Sequence, residues 1–237
     1  MSPLSFNPEH GPIENQLEQI YQLYAGLLGG IDAESGLGGK LLSAGEPDEP
    51  GCRLLRAANI AGAASLAASA SAGALRQAMR QGVIDFVVNS LDEALRILKN
   101  EIRKREPVAV GVSLDPEIIA KEMLQRGVLP DLLAPHLPGT PDLDTFVAQG
   151  ARRVAEAPLP PGLHFLTLPI PSAWTHRTAA IDTLMLDCLP PDDHLNRRWL
   201  RLAPRYLGAD ARRLRSLACN EDTAARIVEL VTHPNSQ

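Results

Sequence analysis

Between residues 40 and 126 the sequence alternates short apolar runs with segments of helical length, and this alternation constrains the fold more than any other feature. The apolar runs are KLLSAG at 40–45, AASLAAS at 63–69, IDFVVN at 84–89 and VAVGVSL at 108–114. The segments of helical length that follow them lie at about 47–61, 72–81, 91–105 and 116–126. Short apolar runs with helices on both sides are typical of strands buried in a parallel sheet. The sequence therefore predicts an α/β fold with a doubly wound, mostly parallel sheet.

The regions on either side of this alternation predict helices and loops. Residues 12–30 carry apolar side chains at spacings of three and four, which predicts an N-terminal helix followed by a glycine-rich link. The stretch after residue 130 is rich in proline and predicts loops, with one more strand near 163–168 whose flanking prolines fit the edge of a sheet. From about residue 176 the pattern predicts helices, including the segment DARRLRSLA at 210–218. We therefore expect three parts: an N-terminal helix and linker at 1–39, the sheet domain at 40–170 and a helical C-terminal extension at 171–237.

Composition and charge exclude several classes of protein. Hydrophobic residues make up 45% and charged residues 22% of the 237 positions, as in ordinary globular domains. The net charge of -5 argues against a broad surface for nucleic acid. No apolar stretch approaches the roughly 18 residues of a membrane span, and the first residues lack the pattern of a signal peptide. The three cysteines, Cys52, Cys188 and Cys219, are too far apart for a zinc site or a disulfide framework, so we expect a cytoplasmic protein.

One helix start is defined by its capping residues. Ser90 and Glu93 stand at the spacing of a capping box, in which a hydroxyl and a carboxylate accept hydrogen bonds from free backbone N–H groups. The segment after Ser90 places leucines on one stripe and basic residues towards its end, which suits the helix dipole. We interpret Ser90 and Glu93 as structural residues that begin a helix.

The turns at the carboxyl ends of the predicted strands are the first candidates for a ligand site, because ligands of open α/β sheets bind there. The residues of these turns that we take as candidates for ligand binding are Gly45, Glu46, Ser69, Asn89, Ser90 and Asp115. The turn GEPDEPG at 45–51 stands where a phosphate-binding turn would stand, but its three carboxylates would repel a phosphate and suit capping of the following helix. Recognition of a cation or of hydroxyl groups is the alternative use of this turn.

A second candidate is a group of arginines near the C-terminus. The group consists of Arg197, Arg198, Arg201, Arg205, Arg212, Arg213 and Arg215. Guanidinium groups bind carboxylates or phosphates in bidentate geometry, so the group could serve an anionic ligand. The alternative, which we favour, is an interface that pairs with acidic residues of a partner chain, and we expect a homodimer.

Motifs of catalysis and of metal binding are absent from the sequence. The six histidines are single, and the sequence has no G-x-S-x-G, C-x-x-C or H-E-x-x-H motif. The residues therefore predict no nucleophile, no general base and no metal site.

Three segments in the middle of the chain carry a family resemblance. They are DFVVNSLDEALRIL at 85–98, KREPVAVGV at 104–112 and MLQRGVLPDLL at 123–133. Together they make residues 63–140 resemble the central, Rossmann-like domain of urocanase (urocanate hydratase). The resemblance implies a Rossmann-like domain and NAD as its cofactor. Its implied cofactor-binding positions add His136 and Thr140 to the turn residues named above.

The sequence departs from the urocanase pattern at the positions that hold the cofactor in the family. The family's acidic residue for the adenosine ribose falls on Ser69, and its nearby arginine falls on Ala74. The family's Asn-Ala pair falls on Asp115 and Pro116, and its cofactor loop falls on 136–140. We therefore expect weak NAD binding or none, and we do not expect a complete urocanate hydratase.

Three functional hypotheses follow. The first, which we favour from the sequence, is a urocanase-like module that binds a small molecule or a nucleotide. The second is a non-enzymatic regulatory or scaffold subunit that kept the fold and lost the cofactor site. The third is an NAD-dependent lyase or hydratase that a partner chain completes. A pocket lined by Ser69, Asn89, Asp115 and His136 would favour the first hypothesis, and an apolar filling at the strand ends would favour the second.

Overall fold

A six-stranded parallel sheet forms the centre of the molecule, as the computed structural model of residues 12–137, 140–170, 178–209 and 213–232 shows. Its spatial order is β3-β4-β2-β1-β5-β6, and every pairing is parallel. The strands are β1 (Leu41–Gly45), β2 (Ala64–Ala68), β3 (Phe86–Val88), β4 (Val108–Val112), β5 (Leu132–Leu133) and β6 (Arg152–Arg153). The chain passes from β1 to one edge of the sheet and then returns to build the other edge. The point at which the strand order reverses therefore lies between β1 and β5.

Helices cover both faces of this sheet, so the predicted doubly wound α/β fold is confirmed. On the first face lie α1 (Pro12–Leu28), α2 (Glu49–Ala61) and α3 (Ala72–Arg80). On the second face lie α4 (Leu91–Lys104), α5 (Pro116–Gln125) and α6 (Pro141–Ala148). The four predicted strands and the first five helices lie within a few residues of their predicted positions. The short strands β5 and β6 and the helix α6 lie in the stretch for which the sequence predicted loops.

The C-terminal part contains a small antiparallel sheet as well as helices. This sheet pairs β7 (His164–Pro169) with β8 (Leu214–Cys219). The helices of this part are α7 (Thr178–Cys188), α8 (His194–Tyr206) and α9 (Glu221–Thr232). The predicted strand near 163–168 is confirmed, although its partner is β8 and not the central sheet.

The prediction of helix for 210–218 is wrong over residues 214–218, which belong to β8. In this strand the side chain of Arg215 is buried and forms an ion pair with Asp182 of α7. The local sequence around Arg215 does not show whether this arginine is buried on a strand or exposed on a helix. The difference comes from Asp182, which lies 33 positions earlier in the chain.

The N-terminal helix and the C-terminal part pack together through four aromatic side chains. Tyr21 lies with its ring centroid 5.5 Å from that of Phe165 and 5.0 Å from that of Trp199. The ring centroids of Tyr24 and Trp199 are 5.3 Å apart. Burial raises the pKa of both tyrosines far above the ordinary value, so they stay neutral. This aromatic cluster fixes α1 and α8 to the first face of the sheet.

Hydrogen bonds fix the orientation of the side chains in this aromatic cluster. The Tyr21 hydroxyl donates to Oδ1 of Asn196 over 2.8 Å, and Nδ2 of Asn196 donates to the carbonyl oxygen of Ala218 over 2.8 Å. The indole N–H of Trp199 donates to the carbonyl oxygen of Ser216 over 2.7 Å. Because each buried polar group has a partner, the cluster costs little in lost hydration.

Two further observations bear on the expected class of protein. Over the residues that the structure describes, no helix has both the length and the apolar content that crossing a bilayer requires. Cys52, Cys188 and Cys219 are free thiols in the structure, and Cys188 and Cys219 are buried.

Candidate functional site

The point where the strand order reverses is closed by an apolar side chain. Gly45 ends β1 with φ at +73°, a left-handed conformation that favours glycine. Leu137 lies a few residues after β5, and its Cδ2 lies 2.5 Å from the position that a Cβ on residue 45 would take. The Nε2 atom of His136 lies 3.9 Å from the same position. Leu137 therefore covers the turn at which a Rossmann-like domain holds a phosphate.

The cavity beside this turn is small and mostly apolar. Its volume is about 50 Å³. Pockets for small molecules in proteins usually have about 300–1,000 Å³. Its apolar lining includes Leu66, Ala68, Ile119, Ala120, Leu137 and Leu143. Its volume is too small for a nucleoside, and most of its side chains offer no hydrogen-bonding group.

The acidic turn at 45–51 caps its own helix, as the sequence predicted. Asp48 is the N-cap of α2, and its Oδ1 accepts a hydrogen bond from the N–H of Gly51 over 2.9 Å. Glu49 forms an ion pair with Arg53 one turn along the helix. The Sγ of Cys52 donates to the carbonyl oxygen of Pro47, and burial raises the pKa of this thiol. A carboxylate of the chain thus occupies the helix start that an anion would need.

The hydroxyl groups of Ser69 and Ser71 accept hydrogen bonds from backbone N–H groups after β2. Ser69 is only 1% exposed, and its Oγ accepts a hydrogen bond from the N–H of Ser71 over 3.0 Å. The Oγ of Ser71 in turn accepts from the N–H of Ala74 and caps α3. The residue at which the urocanase resemblance expects an acid for the ribose is thus a buried serine engaged within its own turn.

The predicted capping box at the start of α4 is confirmed. The Oγ of Ser90 accepts a hydrogen bond from the N–H of Glu93 over 3.3 Å. The Oε2 of Glu93 accepts from the N–H of Asn89 over 3.0 Å, one residue ahead of the cap. Ser90 therefore begins α4, and the side chain of Asn89 is exposed to solvent.

The remaining predicted site residues also lie at helix starts or on the surface. Asp115 is the N-cap of α5, and its Oδ1 accepts from the N–H of Glu117 over 2.8 Å. Thr140 is the N-cap of α6 and lines the small cavity together with Gly45. His136 is exposed. The structure thus brings Gly45, His136 and Thr140 together, and Ser69, Asn89, Ser90 and Asp115 do not line this cavity.

These residues do not fit NAD in the manner that the resemblance implies. Leu137 fills the space over Gly45, where a pyrophosphate would need bare backbone N–H groups. Asp48 already caps the first helix after the turn, and position 69 offers no carboxylate to a ribose. A cofactor-binding role for any of the eight residues stays a prediction.

The described arginines near the C-terminus contact different partners within the chain, and Arg212 lies outside the described residues. The guanidinium group of Arg198 donates to the carbonyl oxygens of Glu34, Ile60 and Ala61 and so binds the last turn of α2. Arg197 donates to the carbonyl oxygens of Leu186 and Leu189 at the end of α7. A Cβ at Gly62, whose φ is +95°, would lie 2.7 Å from Nη2 of Arg198. Nothing local in the sequence indicates these bonds, because Arg198 and its acceptors are more than 130 positions apart.

Candidate metal ligands do not converge in the described parts of the chain. No group of three or more histidine, cysteine, aspartate or glutamate side chains lies close enough there to hold a metal ion.

The comparison with known families agrees with the geometry of the sheet. The matched segment starts before β1, ends at the beginning of α6 and includes the acidic turn at 45–51. It leaves out α1 and the C-terminal part that packs against it. Residues 31–141 match the family model of the urocanase Rossmann-like domain, and the resemblance to the central domain of urocanase is thereby confirmed for that segment.

Proposed function

We propose that this chain is a non-enzymatic, urocanase-like domain protein that serves as a regulatory or scaffold subunit. It keeps the Rossmann-like sheet and has lost the cofactor site. The observation that carries this proposal is the side chain of Leu137, which lies over Gly45 where the strand order reverses. Because the cavity there is small and mostly apolar, the second of our three hypotheses is better supported than the first.

A second candidate function, the binding of a small molecule, is favoured by a different groove. This groove has a volume of about 510 Å³, which is large enough for a small ligand. It lies on the first face and is lined by polar side chains that include Gln16, Arg53, Arg56, Gln77 and Gln81. Arg53 already pairs with Glu49, and Arg56 already donates to the carbonyl oxygen of Tyr206. We therefore favour the first proposal over ligand binding in this groove.

Native mass spectrometry of the purified protein, compared with its denatured mass, tests the proposal. We expect the native mass to equal the mass of the chain or of a whole number of chains. Isothermal titration with NAD should give no measurable heat, and a urocanate hydratase provides the positive control. Co-purified NAD, or NAD binding at micromolar concentration, would overturn the proposal.

A retained small molecule other than NAD would instead favour the second candidate function. Two variants then separate the sites. Arg53→Ala should release the molecule if the groove beside α2 holds it, because the variant removes a guanidinium group that lines the groove. Thr140→Ala, at the strand-end cavity, is the matched control and should leave the bound mass unchanged.

A further inference from the structure

We propose that the edge strand β3 and the adjoining surface of α4 form a docking groove for an extended, acidic segment of a partner protein. We call this surface the β3–α4 groove, and its lining includes Phe86, Arg96, Ile97, Lys99, Glu101 and Arg103. The inference rests on the proposed function, since a regulatory or scaffold subunit acts by binding a partner. It adds the place of binding and the chemistry of the partner.

The position of the groove suits an extended chain. It is shallow and open to solvent, and it lies at the edge of the central sheet. Phe86 is the first residue of β3 and is 49% exposed. Val88, two residues later, packs into the core of the second face, so strand alternation places Phe86 on the same face as α4. An exposed ring on an edge strand offers an apolar anchor for a partner.

The backbone of β3 offers a further contact. The N–H of Asp85 donates to the carbonyl oxygen of Ala109 over 2.8 Å, which fixes this N–H towards the neighbouring strand β4. Because backbone groups alternate in direction along a strand, the N–H of Phe86 is turned away from β4. Within the described residues β3 pairs with β4 alone, so no described strand occupies its other side, where an added segment could pair.

The charge of the groove selects an acidic partner. Arg96, Lys99 and Arg103 recur at spacings of three and four on α4, and none of them forms an ion pair with another described residue. Glu101 accepts a hydrogen bond from Nζ of Lys104 over 2.8 Å, and this bond lowers its pKa, so its charge is already compensated. The groove therefore presents three positive charges that form no ion pair within the described residues, on a chain whose net charge is -5.

Two other occupants fit the groove less well. A second copy of this chain, related by a two-fold axis at β3, would bring the two sets of positive charges together. Nucleic acid would meet a single ring, the carboxylate of Glu101 and the negative net charge of the chain. An acidic protein segment with an apolar side chain meets the arginines and the ring together, and these are the residue types that dominate protein interfaces.

The test measures peptide binding by fluorescence anisotropy at low salt. The probe is a fluorescein-labelled decapeptide that alternates glutamate with valine, and the control peptide alternates lysine with valine. We expect saturable binding of the glutamate peptide and none of the lysine peptide. The double variant Arg96→Glu/Arg103→Glu should weaken binding by about tenfold or more, and Phe86→Ala should weaken it by about fivefold.

A matched variant controls for total charge. Arg76→Glu/Arg80→Glu makes the same charge change on α3, where both side chains are exposed, and should leave the affinity within about twofold. All four substituted arginines are on the surface, and far-ultraviolet circular dichroism verifies that both double variants fold.

Four results would overturn this assignment. They are no saturable binding of the glutamate peptide, equal losses in the two double variants, tighter binding of a single-stranded oligonucleotide, and a dimer in sedimentation that only Arg96→Glu/Arg103→Glu dissociates. The NAD titration is independent of all four, so a failure of the proposed function and a failure of the groove can be told apart.

Discussion

The two faces of the central sheet are packed by different means. The core of the second face consists of aliphatic side chains with a single aromatic ring, that of Phe146. The core of the first face contains the rings of Tyr21, Tyr24, Phe165 and Trp199, together with hydrogen bonds between their polar atoms and distant parts of the chain. Both faces contain helices that lie next to their own strands in the sequence, and the first face adds long-range contacts to them.

The aromatic contacts of the first face come from residues outside the urocanase match. The helices α4 and α5 of the second face lie inside residues 31–141, whereas α1, α8, β7 and β8 lie outside them. These four elements pack on the first face or on one another. The helix α6, most of which follows the end of the match, packs on the second face. The N-terminal helix and the C-terminal part, which the match leaves out, thus strengthen the first face of the sheet.

The largest expected effect comes from Trp199→Ala. Trp199 is 1% exposed, contacts both tyrosine rings and donates to the carbonyl oxygen of Ser216. Its removal leaves a cavity and an unpaired buried carbonyl, so the free energy of unfolding should fall by about 5 kcal/mol. Chemical denaturation monitored by circular dichroism measures this change.

Phe146→Ala provides the comparison on the second face. Phe146 is also 1% exposed, but it lacks a polar atom and its neighbours are aliphatic, so we expect a loss of about 3 kcal/mol. If Phe146→Ala costs as much as Trp199→Ala, the proposed difference between the two faces does not exist.

The next largest effect concerns Arg198, which holds the end of α2 from the C-terminal part. Arg198→Gln removes charged hydrogen bonds to three backbone carbonyls and should lower the free energy of unfolding by about 2–3 kcal/mol. Arg201→Gln is the matched control on the same helix, because Arg201 is exposed and, among the described residues, bonds only the carbonyl oxygen of Arg197 one turn back. The control should change the stability by less than about 0.5 kcal/mol. Equal effects of the two variants would show that α8 does not hold α2.

A smaller effect is expected at the strand-end turn. Gly45→Ala places a Cβ at a positive φ and against Leu137, so we expect a loss of about 1–2 kcal/mol. In a Leu137→Ala background the contact disappears and only the backbone cost remains, so the same substitution should cost about 0.5 kcal/mol less. A double-mutant cycle measures the difference, and identical costs in the two backgrounds would contradict the position of Leu137 over the turn.

The smallest effect concerns the local cap on the second face. Ser90→Ala removes the hydroxyl that accepts the N–H of Glu93, so the free energy of unfolding should fall by about 1 kcal/mol. Ser90→Asp keeps an acceptor at the cap and should restore most of the stability. A thermal midpoint that is the same in wild type and Ser90→Ala would mean that the cap does not contribute.

The contrast between Ser90 and Arg198 explains how much of the fold the sequence could predict. The cap at Ser90 is set by residues that are neighbours in the chain, and the sequence predicted both of its members. The acceptors of Arg198 are more than 130 positions away, so its role could not be inferred from local pattern. The strands β5 and β6 pair over two residues each, too few to produce an apolar alternation.

The same reasoning applies to the candidate site. The sequence correctly identified the strand-end turns and the self-capping of the acidic turn at 45–51, since both follow from local spacing. It did not predict that Leu137 would cover Gly45, because the reversal of strand order brings these two residues together. It also did not predict the β3–α4 groove, since the local sequence does not show whether the side chain of Phe86 is buried or exposed.

The contact between α1 and α8 also has a consequence for synthesis on the ribosome. Tyr21 and its hydrogen-bond acceptor Asn196 are 175 positions apart. At about 5–20 residues per second, roughly 10–35 seconds pass between the emergence of one and of the other. The entire central sheet is synthesised within that interval. During this time the aromatic side of α1 cannot contact α8, because α8 has not yet been made. The nascent chain therefore exposes the side of α1 that carries Tyr21 to chaperones, and to aggregation, for longer than the synthesis of its own sheet takes.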